Sequence, residues 1–207
     1  GEPYMINIDT CNEALPKTQK DLGLTIKQSN LCSEITLPTD EERTAVCCLS
    51  SVNLEHFDKW SKEPLFINDL ITMLDNVLQH YIENAVDTTQ LGEYSANFKR
   101  FKKYIREGKE GFTKSAFSAY RERAIGLGAM GFHAYLQSKG IPFEGIFATG
   151  FNHKAFKYIK REATKASKLL AEERGEAPDV HGTGLRNSHL LAVAPNASSS
   201  IICSGTS

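Results

Sequence analysis

The stretch "SNLCSEI", Ser29 to Ile35, sets an amide, a thiol and a carboxylate at alternate positions, Asn30, Cys32 and Glu34. In an extended strand, residues i, i+2 and i+4 line one face. The spacing therefore predicts three polar groups aimed the same way from a short piece of backbone. A thiol transfers hydrogen or attacks as a nucleophile, and a nearby carboxylate serves as general base. An amide orients a hydroxyl without adding charge. The plainer alternative is a buried Cys32, with Asn30 and Glu34 satisfying nearby backbone groups. No histidine is close in sequence, so a Cys–His pair lacks local support; His133, His181 and His189 remain as distant candidates.

Two further stretches carry chemistry. Cys47 and Cys48 are adjacent in the apolar run "AVCCLSSVNL". On a strand they face opposite sides, so only one of them shares a site with Cys32. That one would act as a second thiol that gives up electrons and becomes half of a disulfide; the alternative is two core cysteines. Spacing does not choose between Cys47 and Cys48. In "APNASSS", Ala194 to Ser200, small residues and hydroxyls follow an apolar run. Backbone N–H groups there suit an anion, especially where a helix begins, although an ordinary polar turn reads the same way.

These residues need elements to hold them. "YMINID" reads as a short strand, "QSNLCSEITL" as a loop entering a strand that Pro38 stops, and "TDEERT" as a polar turn. "AVCCLSSVNL" reads as a strand. Ile67, Leu70, Ile71, Leu74, Val77, Leu78, Tyr81 and Ile82 recur at helical spacing. The charged, aromatic segment from Tyr94 to Tyr120 reads as helical on both sides of Gly108, with Lys99 to Lys103 as a solvated basic face. "RERAIGLGAMGFHAYLQSKG" reads as an apolar helix whose glycines permit close packing, ended by Gly140. Its Gly126, Gly128 and Gly131 spell GxGxxG. The arginine-rich stretch before them argues against a dinucleotide site. Asn152 is the expected cap of the next helix, with Phe156, Ile159, Ala163, Ala166, Leu169 and Leu170 as its apolar face. "SHLLAVAP" reads as a buried strand ended by Pro195. Strands separated by helices make the fold class α/β.

The chain has 207 residues, is 41% hydrophobic and 24% charged, and carries a formal net charge of -1. This composition suits a globular core and gives no reason to expect nucleic-acid or membrane binding. Its longest apolar runs fall short of a membrane span. Five cysteines at irregular spacing, without a CxxC pair, suit free thiols in a reducing, cytoplasmic setting better than disulfides or structural zinc. The opening "GEPYMINIDT" and the final "IICSGTS" are read as the ends of a piece of a longer polypeptide, cut out or encoded by a split gene.

"SNLCSEI", "AVCCLSSVNL", "RERAIGLGAMGF" and "GTGLRNSHLLAVAPNASSS", in this order, resemble the catalytic large subunit of class I ribonucleotide reductase. The resemblance implies a segment of a ten-stranded α/β barrel over residues 1–207. It implies a finger loop at about residues 27–36, a helical insertion at about residues 92–118 and no activity domain. It implies that a ribonucleoside diphosphate loses its ribose 2′-OH by thiyl-radical chemistry with oxidation of a dithiol. Cys32 then holds the radical, Glu34 is the base at the 3′-OH, Asn30 holds the ribose, and Cys47 is one reducing thiol whose partner lies upstream. Ser29, Asn30 and Glu34, with Pro195, Asn196, Ala197, Ser198 and Ser199, would hold substrate. The chain would bind no metal or cofactor itself. A metal-containing small subunit would supply the radical, and thioredoxin or glutaredoxin the electrons. Complementary large-subunit portions and a homo-oligomer complete the expected partners, and the chain alone would be inactive. A related adenosylcobalamin-dependent or glycyl-radical-like barrel enzyme, and a non-catalytic α/β interaction module, are the alternatives.

Overall fold

A computed structural model describes residues 4–85 and 113–206. The segment expected to be a helical insertion lies outside these residues except at its end. Within them the elements run α1 (Ile8–Ala14), α2 (Lys17–Asp21), β1 (Cys48–Asn53), a 3-10 turn (Leu54–His56), α3 (Phe57–Trp60) and α4 (Phe66–Asn84). After the undescribed stretch come α5 (Lys114–Glu122), β2 (Ile125–Met130), α6 (Phe132–Ser138), α7 (Ile146–Arg174), a 3-10 turn (Pro178–Val180) and α8 (Ala197–Ile202).

β1 and β2 pair in parallel, Cys48 opposite Ile125 through Asn53 opposite Met130. All six residues of β2 are buried. On its other edge runs the segment 189–192. The N–H of Ile125 donates to the His189 carbonyl (3.1 Å), and that of Leu127 to the Leu190 carbonyl (2.8 Å). Parallel strands joined through long helical crossovers are the α/β arrangement that the alternation of elements predicted.

α4 and α7 pack along each other over this sheet. Most of the periodicity expected for α4 is present, with Ile67, Ile71, Leu74, Leu78 and Ile82 buried on one stripe, Leu70 and Tyr81 half-buried, and Val77 exposed instead. α7 answers with a small-residue seam of Ala148, Ala155, Ala163 and Ala166, flanked by Phe151, Ile159 and Leu170. Leu169, expected on that face, is exposed. An aromatic cluster closes one end: Phe57 meets Trp60 edge-on at 5.0 Å, and Tyr135 stacks on Phe151 at 3.7 Å. The Trp60 indole N–H donates to the Asn53 carbonyl (2.8 Å), which fixes the exit of β1.

The charged core is organised around Asp75 of α4, which is fully buried. Its carboxylate accepts from Arg123 Nε (2.9 Å), Arg174 (3.2 Å), Arg186 Nε (3.4 Å) and Asn187 Nδ2 (3.2 Å). Burial by itself would raise this carboxyl. Arg123, with Arg186 and Asn187, outweighs burial and holds it below the usual carboxylate range. One side chain thereby ties α4, the end of α5, the end of α7 and the segment entering 189–192 into one body.

Four local expectations are corrected. "YMINID" is not a strand: α1 starts inside it, because the Asn7 side chain caps the helix by accepting from the Thr10 N–H (3.1 Å). "AIGLGAM" is β2 rather than helix, and only "FHAYLQS" after it is helical. Gly140 follows that helix with φ +64°, as expected of a terminating glycine. Asn152 does not cap α7, which begins earlier, after Gly145, and encloses it. "SHLLAVAP" forms a single bridge, Leu127 to Leu191, and is half-buried or exposed rather than a buried strand.

Candidate active site

The first candidate residues lie on a turn, not on a strand. The Ser33 N–H donates to the Asn30 carbonyl (3.1 Å), and the Asn30 N–H donates to the Ile35 carbonyl (3.2 Å). The Ile35 N–H donates to Asn30 Oδ1 (3.0 Å), so the amide itself closes the loop. Ser33 takes the left-handed conformation, φ +63°, which a strand excludes. Asn30, Cys32 and Glu34 therefore do not share an extended face. Leu31 and Cys32 occupy the tip, and the Cys32 thiol is exposed rather than buried in a core. Ser29 precedes the turn, half-buried.

Past the tip the chain turns inward. Glu34 is half-buried, and its Oε2 is fully enclosed without a hydrogen-bond partner. It lines a cavity of about 110 Å³ with Leu37, Cys47, Ile125, His189 and Ala192. Cys47 stands at the entry to β1, opposite the approach to β2. Burial pushes its thiol up, and the neighbouring Cys48 and Glu34 push it further. Cys48 packs against the helix-covered hydrophobic core instead. Burial raises its thiol, the Arg123 charge lowers it and Asp75 raises it again. The strand alternation that left the pair undecided in sequence thus puts Cys47, not Cys48, on the cavity with Glu34.

The serine-rich segment is held from β2. Asn196 is buried, and its Nδ2 donates to the carbonyls of Ala194 (2.7 Å) and Ala129 (3.4 Å). α8 starts immediately after it, so Ala197, Ser198 and Ser199 form a first helical turn whose N–H groups have no intrahelical acceptor. Pro195, Ala197, Ser198 and Ser199 are exposed. The path into this segment depends on two glycines. A Cβ on Gly126 would meet Leu49 Cδ2 at 2.5 Å and Ala192 Cβ at 2.8 Å. On Gly128 it would collide with the Ala192 carbonyl oxygen and reach Val193 Cα at 3.2 Å. The close packing expected of these glycines is present, on a strand rather than a helix. Of the GxGxxG spelling, Gly126 and Gly128 make room for the crossing segment, while Gly131 takes the left-handed conformation, φ +75°, that starts α6.

Sequence reasoning passed over a second charged network beside the site. Arg43, in the stretch read as a polar turn, is buried and bonds Asp179 Oδ2 (2.5 Å), while Glu122 Oε1 lies 3.5 Å away. Arg121 reaches Asp179 Oδ1 (2.6 Å). Asp179 takes the better donors, so burial dominates at Glu122. Its carboxyl rises to about 8 despite the pull of Arg43, with Asp179 and Asp40 adding to the rise. The signal available in sequence was the pairing of "DEERT" with "RER", which gives no partner assignment. His189 was named only as a distant candidate; it lies on the cavity, with Nδ1 3.0 Å from the Ser188 hydroxyl. Burial holds its imidazole down to about 4, so the ring is neutral at physiological pH.

The structure thus brings together Glu34, Cys47 and His189. Among the described residues no hydrogen bond or ion pair joins Cys32 or residues 195–199 to them. Among the described residues no group of three or more His, Cys, Asp or Glu side chains is placed to hold a metal ion. Also among them, no helix is long and apolar enough to cross a membrane.

Residues 1–183 match the family model for the ribonucleotide reductase barrel domain. Over its full 207 residues the chain is 50% identical to the ribonucleoside-diphosphate reductase large subunit of Invertebrate iridescent virus 3, covering 29% of that protein. It is 47% identical to the putative large subunit of Frog virus 3, again over the whole chain and 33% of that protein. In three dimensions it superposes, with a TM-score of 0.83 and 34% identity, on the Actinobacillus ureae class Id ribonucleotide reductase alpha subunit. That match covers 100% of this chain and 36% of that one. The chain spans about a third of the length of these relatives. A finger-like turn, a thiol–carboxylate cavity and a barrel-domain match over most of the residues converge: the chain belongs to the ribonucleotide reductase family, as a segment of the catalytic α/β barrel of a class I large subunit.

Proposed function

We propose that this segment carries the reductive centre of a ribonucleoside-diphosphate reductase. In this reading a thiyl radical on Cys32 takes the hydrogen from the ribose 3′ carbon while Glu34 accepts the 3′-OH proton. The 2′-OH leaves as water after protonation by a thiol. Cys47 and a second cysteine, supplied from outside these residues, give two electrons and the hydrogen that the 2′ carbon gains, and become a disulfide, while Glu34 returns its proton to the 3′ oxygen. Cys32 then returns its hydrogen to the 3′ carbon. Asn30, with its Nδ2 free of partners among the described residues, holds the ribose. Ser29 and the segment Pro195, Asn196, Ala197, Ser198 and Ser199 hold the remaining substrate groups, the phosphates resting on N–H and hydroxyl groups.

The meeting of Glu34 and Cys47 on one small cavity carries this reading. A base and a reducing thiol must reach the same ribose, and here the residue past the Asn30–Ser33 turn and the residue at the entry to β1 arrive together. The exposed tip position of Cys32 suits a sulfur that must meet both a substrate and a radical from elsewhere. Family membership supports the wider scheme. A metal-containing small subunit supplies the radical, thioredoxin or glutaredoxin reduces the disulfide, and further large-subunit portions complete the barrel in a homo-oligomer. The class I relatives favour this scheme over an adenosylcobalamin-dependent one.

The test is Cys32→Ser in the full-length large subunit, assayed with its small subunit and a dithiol reductant. Diphosphate reduction is expected to vanish while nucleotide binding persists. Turnover at the wild-type rate would remove the radical role.

A further inference from the structure

Resting on that reading, we infer that His189 is a positioning residue for Glu34: its Nε2–H donates to a water in the shared cavity, and that water donates to Glu34 Oε2. Three observations lead there. Glu34 Oε2 is enclosed and unpartnered, and a buried carboxylate oxygen without a donor is costly. The cavity beside it measures about 110 Å³, which accommodates water, and its titratable lining groups are Glu34, Cys47 and His189. The Ser188 hydroxyl lies 3.0 Å from His189 Nδ1. With that hydroxyl donating, Nδ1 is the acceptor of a neutral ring and the proton sits on Nε2.

Neutrality matters to the role. Burial keeps the imidazole uncharged, so it offers a hydrogen bond to the carboxylate without a counter-charge that would quench a base. Cys47 cannot take this part, because burial and Glu34 itself keep its thiol protonated and its S–H is a weak donor. A bond donated to the ionised carboxylate favours the charged form and fixes which oxygen remains for the substrate hydroxyl. The Ser188 N–H donates to the Glu122 carbonyl (3.0 Å), which anchors the donor's own support to the end of α5.

The experiment uses the full-length large subunit with its small subunit and compares pH profiles for diphosphate reduction in wild type, His189→Leu, His189→Gln and Ser188→Ala. Loss of the donor in His189→Leu is expected to move the acidic limb of kcat/KM upward by about one unit and to lower kcat roughly tenfold, with KM nearly unchanged. His189→Gln, whose amide donates, should restore most of both. Ser188→Ala releases the tautomer and should shift the limb in the same direction by less. A His189→Leu profile that superimposes on wild type overturns the inference, as does a His189→Gln profile displaced as far as that of Leu. If His189→Leu does not accumulate as folded protein, an unshifted Ser188→Ala limb overturns it. A wild-type enzyme that does not reduce diphosphates defeats the proposed function instead, whereas an active wild type with indifferent variants defeats only the role of His189.

Discussion

Gly128→Ala tests whether the crossing of β2 by residues 190–193 sets the geometry of the serine-rich segment. The added Cβ would point at the Ala192 carbonyl and lie 3.3 Å from the Ala192 carbonyl carbon and 3.2 Å from Val193 Cα. These are backbone atoms and have no rotamer to escape into, so the crossing segment itself must move. Overpacking of this kind costs about 1–3 kcal/mol, against about 0.4–1 kcal/mol regained from the stiffer unfolded chain. A net loss of stability follows. The displaced segment leads directly into Pro195 to Ser199, and the Asn196 bond to the Ala129 carbonyl, at 3.4 Å, has little reserve. Misplacement of a binding loop by up to ~1 Å lowers kcat/KM by on the order of tenfold to a hundredfold. The control is Gly150→Ala on α7, where the new methyl would meet nothing within 4 Å; it should stabilise by about 0.5–1 kcal/mol and leave kinetics unchanged. Thermal melting and steady-state diphosphate reduction by the full-length subunit measure both effects. If Gly128→Ala melts and turns over as the control does, the crossing does not hold the loop.

Three other outcomes follow from the same geometry. Cys47→Ser should permit at most a single turnover with dithiol reductants, whereas Cys48→Ser, on the core side of β1, should keep multiple turnover; rapid-quench product counts would reverse the assignment if the two behaved the other way round. Asp75→Asn leaves Arg123, Arg174 and Arg186 without their shared anion and should cost about 3–5 kcal/mol, read as a lowered denaturation midpoint; an unmoved midpoint would show that these arginines need no partner. Glu122 titrates near 8 in the fold against an ordinary 4.5. The folded state therefore holds its proton more tightly, and stability is full below pH 4.5 and falls across the window from 4.5 to about 8 by up to about 5 kcal/mol. Amide-exchange protection of α5 should decline over that window in wild type and stay flat in Glu122→Gln, and equal slopes in the two would discount the shift.

What could be read directly from sequence was set by local physics. α4 announced itself because five large aliphatic residues repeat on one stripe, and β1 because branched and small apolar residues favour a pleated, half-buried edge. β2 was misread because a glycine-interrupted apolar run carries no decisive period, and the reason for Gly126 and Gly128 is a backbone distant in sequence. The extended face expected of Asn30, Cys32 and Glu34 did not form because their alternation is real in sequence, while Ser33 gives no compositional warning of a left-handed conformation. Glu34 and Cys47 were named from chemistry and resemblance, but the cavity that joins them, and the place of His189 on it, depend on long-range pairing. Arg43 was read as part of a polar turn, and its burial with Glu122 and Asp179 was not foreseen, because nothing local says that three separated segments come together.

The most direct measurement is a structure of the full-length large subunit with a ribonucleoside diphosphate bound. In that structure the ribose is expected between Cys32 and Cys47, with the Cys32 sulfur against the 3′ carbon, a Glu34 oxygen within hydrogen-bond distance of the 3′-OH, and the phosphates on residues 195–199. A ribose seated away from Glu34 and Cys47, with the Cys32 sulfur out of van der Waals reach of its 3′ carbon, would contradict it.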